Sequence, residues 1–398
     1  MTQATRFLLQ VGLVPLLASC GAPPERLPQS VAADGRTHYT TYATRGEVLN
    51  AAGAVNIYAS IGAGQLSAAA ARAKPLVYVP NSRSASVSVI DPATFHVVRT
   101  FATGAIPQHV VPTYDLTRLW VLNNQASTLT PIDPLTGADG PQIHVDDPYN
   151  LYFTPDGRFA IIVAERRERL DFRDPTTMKL VESVHTQCRG IDHVDFTSDG
   201  RYMIATCEFN GQLVKVDLTT RKPVAYLKLD STPEGMAMPQ DVRSSPDGRV
   251  FFVADMKAGG VHVIDPVAVT QSGFIATGRG AHGIYPSRDG RMLYVTNRGW
   301  STLKAGRHGP GSISVLDPAT QKVVATWPIP GGGSPDMGNV SADGKELWIS
   351  GRYDDEVYVF DTGTGQLLHR IPVGREPHGL CVWPQPGRYS LGHTGNMR

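Results

Sequence analysis

SRDGRMLYVTN (residues 287–297) is an apolar run that leaves an Asp-Gly turn and ends on a polar residue, and SVLDPATQKVVATWPI (314–329) follows it closely. An Asp-Gly between alternating apolar runs reads as a hairpin, because Gly tolerates the positive φ that tight turns require. The same marks recur along the chain. TPDGR stands at 154, TSDGR at 197, SPDGR at 245 and SADGK at 341. After them come strands ending in a polar residue, such as AIIVAE, MIATCE, FFVADM and LWISGR. A recurring Asp then closes a third run, at Asp91, Asp133, Asp174, Asp217, Asp265, Asp317 and Asp361, with intervals of 42, 41, 43, 48, 52 and 44 residues. Each unit holds four short strands in about 40–45 residues, the size of one propeller blade. No amphipathic helix separates the strands, which disfavours a parallel α/β sheet.

The two ends of the chain carry complementary fragments. LVYVPN (76–81) matches LYVTN, the second strand of a unit whose first strand is missing. PHGLCVWP (377–384) matches AHGIYPSRDG and supplies a first strand without a third or fourth. Together they predict an all-β, seven-bladed propeller closed by a composite blade, which leaves no open sheet between first and last blade. The last dozen residues are then expected to leave the blade. They would pair with the 55–66 segment or fold over an end of the ring, from where His393 and Arg398 could reach a site.

LYVTN with SVLDPATQKVVATWPIPGG after it resembles the YVTN-repeat β-propeller family, and the resemblance covers roughly residues 75–398. That family is similar in architecture to bacterial propeller lactonases and to the haem-carrying propeller of some nitrite reductases. The resemblance implies a shared scaffold and leaves the activity open, because these relatives differ in chemistry.

Composition narrows the class. Lys+Arg number 37 against Asp+Glu 36 in 398 residues, and a formal net charge of +1 argues against nucleic acid as a partner. Forty Gly and thirty Pro suit an all-β chain with frequent turns. The N-terminus, MTQATRFLLQVGLVPLLASC, has Arg6, an apolar stretch from Phe7 to Leu17, and small residues before Cys20. Leu17-Ala18-Ser19-Cys20 resembles the lipobox of bacterial lipoproteins, with Cys20 the lipidated residue; an ordinary secretory signal cut nearby is the alternative. Either reading exports the protein, to the periplasm or cell surface, with any membrane contact through the N-terminal anchor. Residues 1–20 are thus read as a signal, 21–74 as a tether plus a segment matching no part of the repeat, and 75–398 as the propeller.

In a propeller the loop entering each innermost strand and the loop after the second strand open on one face, the mouth of the channel. Registered on the turn, the positions facing that mouth are Gln108 and His109, Tyr149 and Asn150, Asp192 and His193, Gln240 and Asp241, His282, Asp336 and His378. Ends of second strands add Glu165, Glu208, Arg298 and Arg352. The set predicts a polar funnel that binds a ligand, with His and carboxylates able to hold a divalent metal, His193 and His282 foremost, or to perform acid–base work. Polar residues that only bind channel water are the bland alternative. The insertion NRGWSTLKAGRHGPGS (297–312) brings Trp300 to the same face as a candidate specificity loop.

Cys188 and Cys207 fall on adjacent strands of one blade and are expected to form a disulfide outside the cytoplasm; a thiolate–histidine metal site with His193 is the alternative. Cys381 reads as a buried thiol. A Gly-x-Ser-x-Gly elbow, a phosphate-binding loop ahead of a helix and a Cys-x-x-Cys-His haem site are all absent. The leading expectation is an exported, lipid-anchored propeller that binds a small molecule or an envelope protein at the mouth. A lactonase-type hydrolase and a metal-handling or redox accessory protein are the alternatives.

Overall fold

In a computed structural model of the protein, which describes residues 56–398 apart from 231, 233 and 394, seven four-stranded sheets stand as blades around a central axis. The signal, Cys20 and most of the tether lie outside the described residues. Every pairing between neighbouring strands of a blade is antiparallel, as in the sixth blade, where Ala281–Pro286, Leu293–Asn297, Ser312–Asp317 and Lys322–Pro328 run from axis to rim. The three inner strands are almost wholly buried, while outer strands alternate; Lys222–Lys228 shows every second side chain to solvent. The core therefore lies between blades, where both faces of each inner strand are covered.

Two repeated side-chain devices explain why these residues make these turns. At the Asp-Gly corner, the residue two before the Asp donates its hydroxyl to the carboxylate: Thr154 to Asp156, Thr197 to Asp199, Ser245 to Asp247 and Ser287 to Asp289, each at 2.6 Å. The following Gly takes a left-handed φ, for example +68° at Gly157 and +69° at Gly248. The second blade has the same corner without the Gly: Thr113 bonds Asp115 at 2.6 Å and Leu116 takes φ +64°. At the other corner the recurring Asp accepts backbone N–H groups two and three residues on, as Asp217 does from Thr219 and Thr220 and Asp361 from Gly363 and Thr364. The short carboxylate supplies a local acceptor that a longer side chain would overshoot.

The first blade is made from both ends of the chain. Cys381–Trp383 is its innermost strand and pairs antiparallel with Leu76–Asn81, placing Leu76 opposite Trp383 and Tyr78 opposite Cys381. The clasp read from the sequence is present, and it removes the free edge that an unfinished ring would expose.

The segments that match no repeat share one face, that of the Asp-Gly corners. Residues 56–66 lie across it, with Ile57 N donating to Pro246 O and Gly64 N to Ala342 O. After Trp383 the chain turns back under the ring and does bridge that segment, Leu66 to Gly387. It then enters the channel. Leu391 O accepts from Phe153 N, His393 N donates to Leu151 O, and Arg398 bonds Asp195 at 3.0 Å. Leu391, His393, Asn396 and Met397 are all buried. The tail fills the channel from below and brings His393 up to His109 and His193.

Candidate functional site

The positions registered on the turn converge at the mouth end of the channel, and a shared irregularity aims them there. The pairing of innermost with second strand slips between Pro107 and His109, Ile191 and Val194, Pro239 and Val242, Ala281 and Ile284, and Pro335 and Gly338. The slips enclose Gln108, Asp192 and His193, Gln240 and Asp241, His282, and Asp336. A β-bulge frees residues from the ladder and re-aims their side chains. Five blades use it to present polar groups to the axis.

On one side, Asp336 is clamped. Arg298 Nε donates to Asp336 Oδ1 at 2.6 Å and Arg298 Nη2 to His282 Nε2 at 2.7 Å. His378 Nδ1 reaches Asp336 Oδ2 at 2.5 Å, and Arg352 Nη1 lies 3.4 Å from the same oxygen. Burial alone would raise the Asp336 carboxyl; Arg298, His378 and His282 reverse that and hold it well below the usual carboxylate range. Burial, with Arg298 beside it, depresses His282 to about 3, and burial depresses His378 to about 4.

The opposite side is acidic. Burial first, then the charges of Glu208 and Glu165, push Asp192 well above its ordinary value. Burial, Glu208 and Asp147 raise Glu165 to about 8, and burial raises Glu208, which accepts from Gln240 Nε2 at 3.0 Å. Like carboxylates sharing a site with little countercharge hold protons that water would take from them.

Five histidines meet between these walls. His109, His193, His378 and His393 have ring centroids 4.7–5.6 Å apart in successive contacts, and His282 lies 5.9 Å from His378. His109 is held over Gly379, where a Cβ would stand 1.9 Å from its Nδ1. Asn150 Nδ2 bonds both His193 Nδ1 at 3.2 Å and His393 Nδ1 at 2.9 Å. Among the described residues, two groups have metal-ligating spacing: His193, Asp241 and His393, and His282, Asp336 and His378. His193 and His282, paired by the sequence reading, stand in different groups with ring centroids 6.3 Å apart.

Orphan polar atoms concentrate here. Both ring nitrogens of His109, both oxygens of Asp192, His193 Nε2, His282 Nδ1 and Arg298 Nη1 are buried without a hydrogen-bond partner. Most buried polar atoms in folded proteins are satisfied, so a cluster of orphans calls for a ligand, ion or water between them.

Trp300 lies next to the turn that leads into the His282 strand. Its carbonyl lies against Gly280 and its indole against Gly309, and the loop is tied to the seventh blade through Arg307–Asp355 and His308 with Asp354. Cys188 and Cys207 are joined by a disulfide with Cα atoms 5.0 Å apart, and Cys381 is a buried thiol. The alignment passed over Asp195 and Arg243, which lie mid-strand; Asp195 anchors Asn396 and Arg398 of the tail. A charged residue inside an otherwise buried strand, as in HVDF and DVRS, was the available signal. A cleft of about 600 Å³ lies on the far face, between residue 57, the Asp-Gly corners and Tyr389. None of the five histidines lines it.

The chain belongs to the YNCE-like β-propeller family, whose model matches residues 48–387. No curated protein sequence matches the chain. Among solved structures it is similar to hydrazine synthase of Kuenenia stuttgartiensis, with 18% identity, TM-score 0.57, and 68% of this chain and 87% of that one covered. It is also similar to the dihydro-haem d1 dehydrogenase NirN, with 16% identity, TM-score 0.57, and 77% and 74% covered. A candidate 6-phosphogluconolactonase from Bacteroides uniformis aligns with 18% identity, TM-score 0.60, and 77% and 98% covered. At these identities the likeness is one of fold.

Proposed function

We propose that this YNCE-like propeller is an exported, lipid-anchored binding module whose mouth takes a small polar ligand carrying positive charge. The observation that carries this reading is the set of orphan atoms on His109, Asp192, His193 and His282. The acidic wall favours a cationic ligand: Asp192, Glu165 and Glu208 are all raised by burial, Asp192 also by Glu208 and Glu165, and Glu165 also by Glu208 and Asp147, so a cation would take the place of protons there. The lipobox-like Leu17-Ala18-Ser19-Cys20 supports export and anchoring. Hydrolysis of the lactonase type, with His109, His193, His282 and His378 beside Asp192, Asp241 and Asp336 as its candidates, has weaker support, because Asp241 and Asp336 are fully buried and already engaged by backbone or arginine partners.

Native mass spectrometry of mature, lipid-free protein recovered from its own compartment tests the reading. A non-covalent mass excess that disappears on denaturation, and is lost in Asp192→Asn, is expected. A wild-type mass equal to the bare chain under native conditions would overturn it.

A further inference from the structure

We infer that His193, Asp241 and His393 form a site for a divalent transition ion of the zinc class, one of whose ligands comes from the C-terminal tail. The inference rests on the reading above in placing a cation within the channel.

Of the two groups with ligand spacing, this one holds an orphan imidazole nitrogen, His193 Nε2, aimed at the carboxylates; Asp241 accepts from Val242 N and Ile284 N, with the Arg243 guanidinium 3.7 Å away. In the other, the Arg298 guanidinium bonds both His282 Nε2 and Asp336, so a fixed cation already occupies the position an ion would take. His193 Nε2 has no hydrogen-bond partner and is fully buried, with orphan Asp192 Oδ1 3.4 Å away. His393 Nε2 stands 3.8 Å from Asp241 Oδ1, and the three donors lie within 4.8 Å of one another. Metal–ligand bonds of about 2.0–2.2 Å put tetrahedral donors about 3.4 Å apart, so the group closes by shifts of about 1 Å.

The surroundings suit an imidazole-bound ion. Asn150 touches the Nδ1 of both rings, which turns both Nε2 atoms toward the carboxylates. With its amide half-turned, the Asn150 oxygen accepts both Nδ1–H protons and leaves the lone pair of each ring on Nε2, at the expense of its bond from Leu151 N. Two imidazoles with carboxylates select a transition ion over Mg²⁺ or Ca²⁺, which prefer oxygen donors throughout. Since Asp241 and His193 belong to the ring and His393 to the tail, the ion would pin the plug in the channel.

Metal content of mature, lipid-free protein, purified from its own compartment without chelators, tests the site beside His393→Gln and His282→Gln. Stoichiometric transition metal in the wild type and in His282→Gln, lost in His393→Gln, is expected. Metal lost equally from both variants, or retained in His393→Gln, overturns the assignment. Should His393→Gln fail to fold, Co²⁺ titration of the wild type decides: intense visible d–d bands, abolished by competing Zn²⁺ and untouched by Mg²⁺, are expected, and their absence overturns the site. An organic mass excess in a metal-free wild type would sink this inference and leave the proposed function standing; a bare, metal-free chain would sink both.

Discussion

Single residues in the channel are held away from their solution chemistry by burial and by one another, and the signs can be worked through. Glu165 ionises near 8 in the fold against an ordinary value of 4.5. A carboxyl raised on folding weighs against stability as pH rises between those values and is neutral below the lower one. Glu165→Gln is therefore expected to stabilise the protein by on the order of 1 kcal/mol or more at pH 8, with the gain vanishing at pH 4.5. Thermal melts at both pH values check this; a pH-independent gain would mean that the charge is not the cause. The clamp works in the other direction. Arg298→Leu leaves the buried Asp336 carboxylate with the more distant Arg352 as its one remaining guanidinium partner, and denaturant unfolding should show a loss of about 3 kcal/mol. Adding Asp336→Asn should restore much of it, which a purely steric defect would not do. Four of the five histidines were legible in the sequence because each occupies the same place in a repeat; His393 sits on the tail and was legible only as a residue that could reach a site. Asp195 and Arg243 were not, since nothing in the pattern said that a tail would arrive to meet them.

Strands and corners were the most legible elements, because each is encoded locally: Asp156 and Gly157 make a turn wherever they are placed. The bulges were not, because strand register is decided by the partner and not by the bulged strand alone. The tail was legible only as a departure. Its destination depends on contacts far apart in sequence, such as Phe153 N to Leu391 O at 3.0 Å. Ending the chain after Pro386 keeps the clasp strand and removes the plug. The expected result is a β-rich fold of lower stability in which the Phe153 amide exchanges faster with deuterium. Unchanged exchange at Phe153 would mean that the tail does not occupy the channel in solution.

Across the whole molecule, seven blades from a quasi-regular repeat put unlike residues at equivalent places around one axis, which is how a stable ring acquires a chemically asymmetric centre. Basic groups from blades six and seven face acidic groups from blades three and four, and the five histidines lie between. The scaffold was legible from periodicity; the asymmetry was legible only as a roster of polar residues, because distance and burial decide which of them interact. The central claim is that this centre holds a bound ligand. Its most direct test is an electron-density map of protein crystallised after purification from its own compartment. The account predicts a feature beyond water, in contact with Asp192 and His193. Ordered water alone between His109, Asp192 and His193 would contradict it.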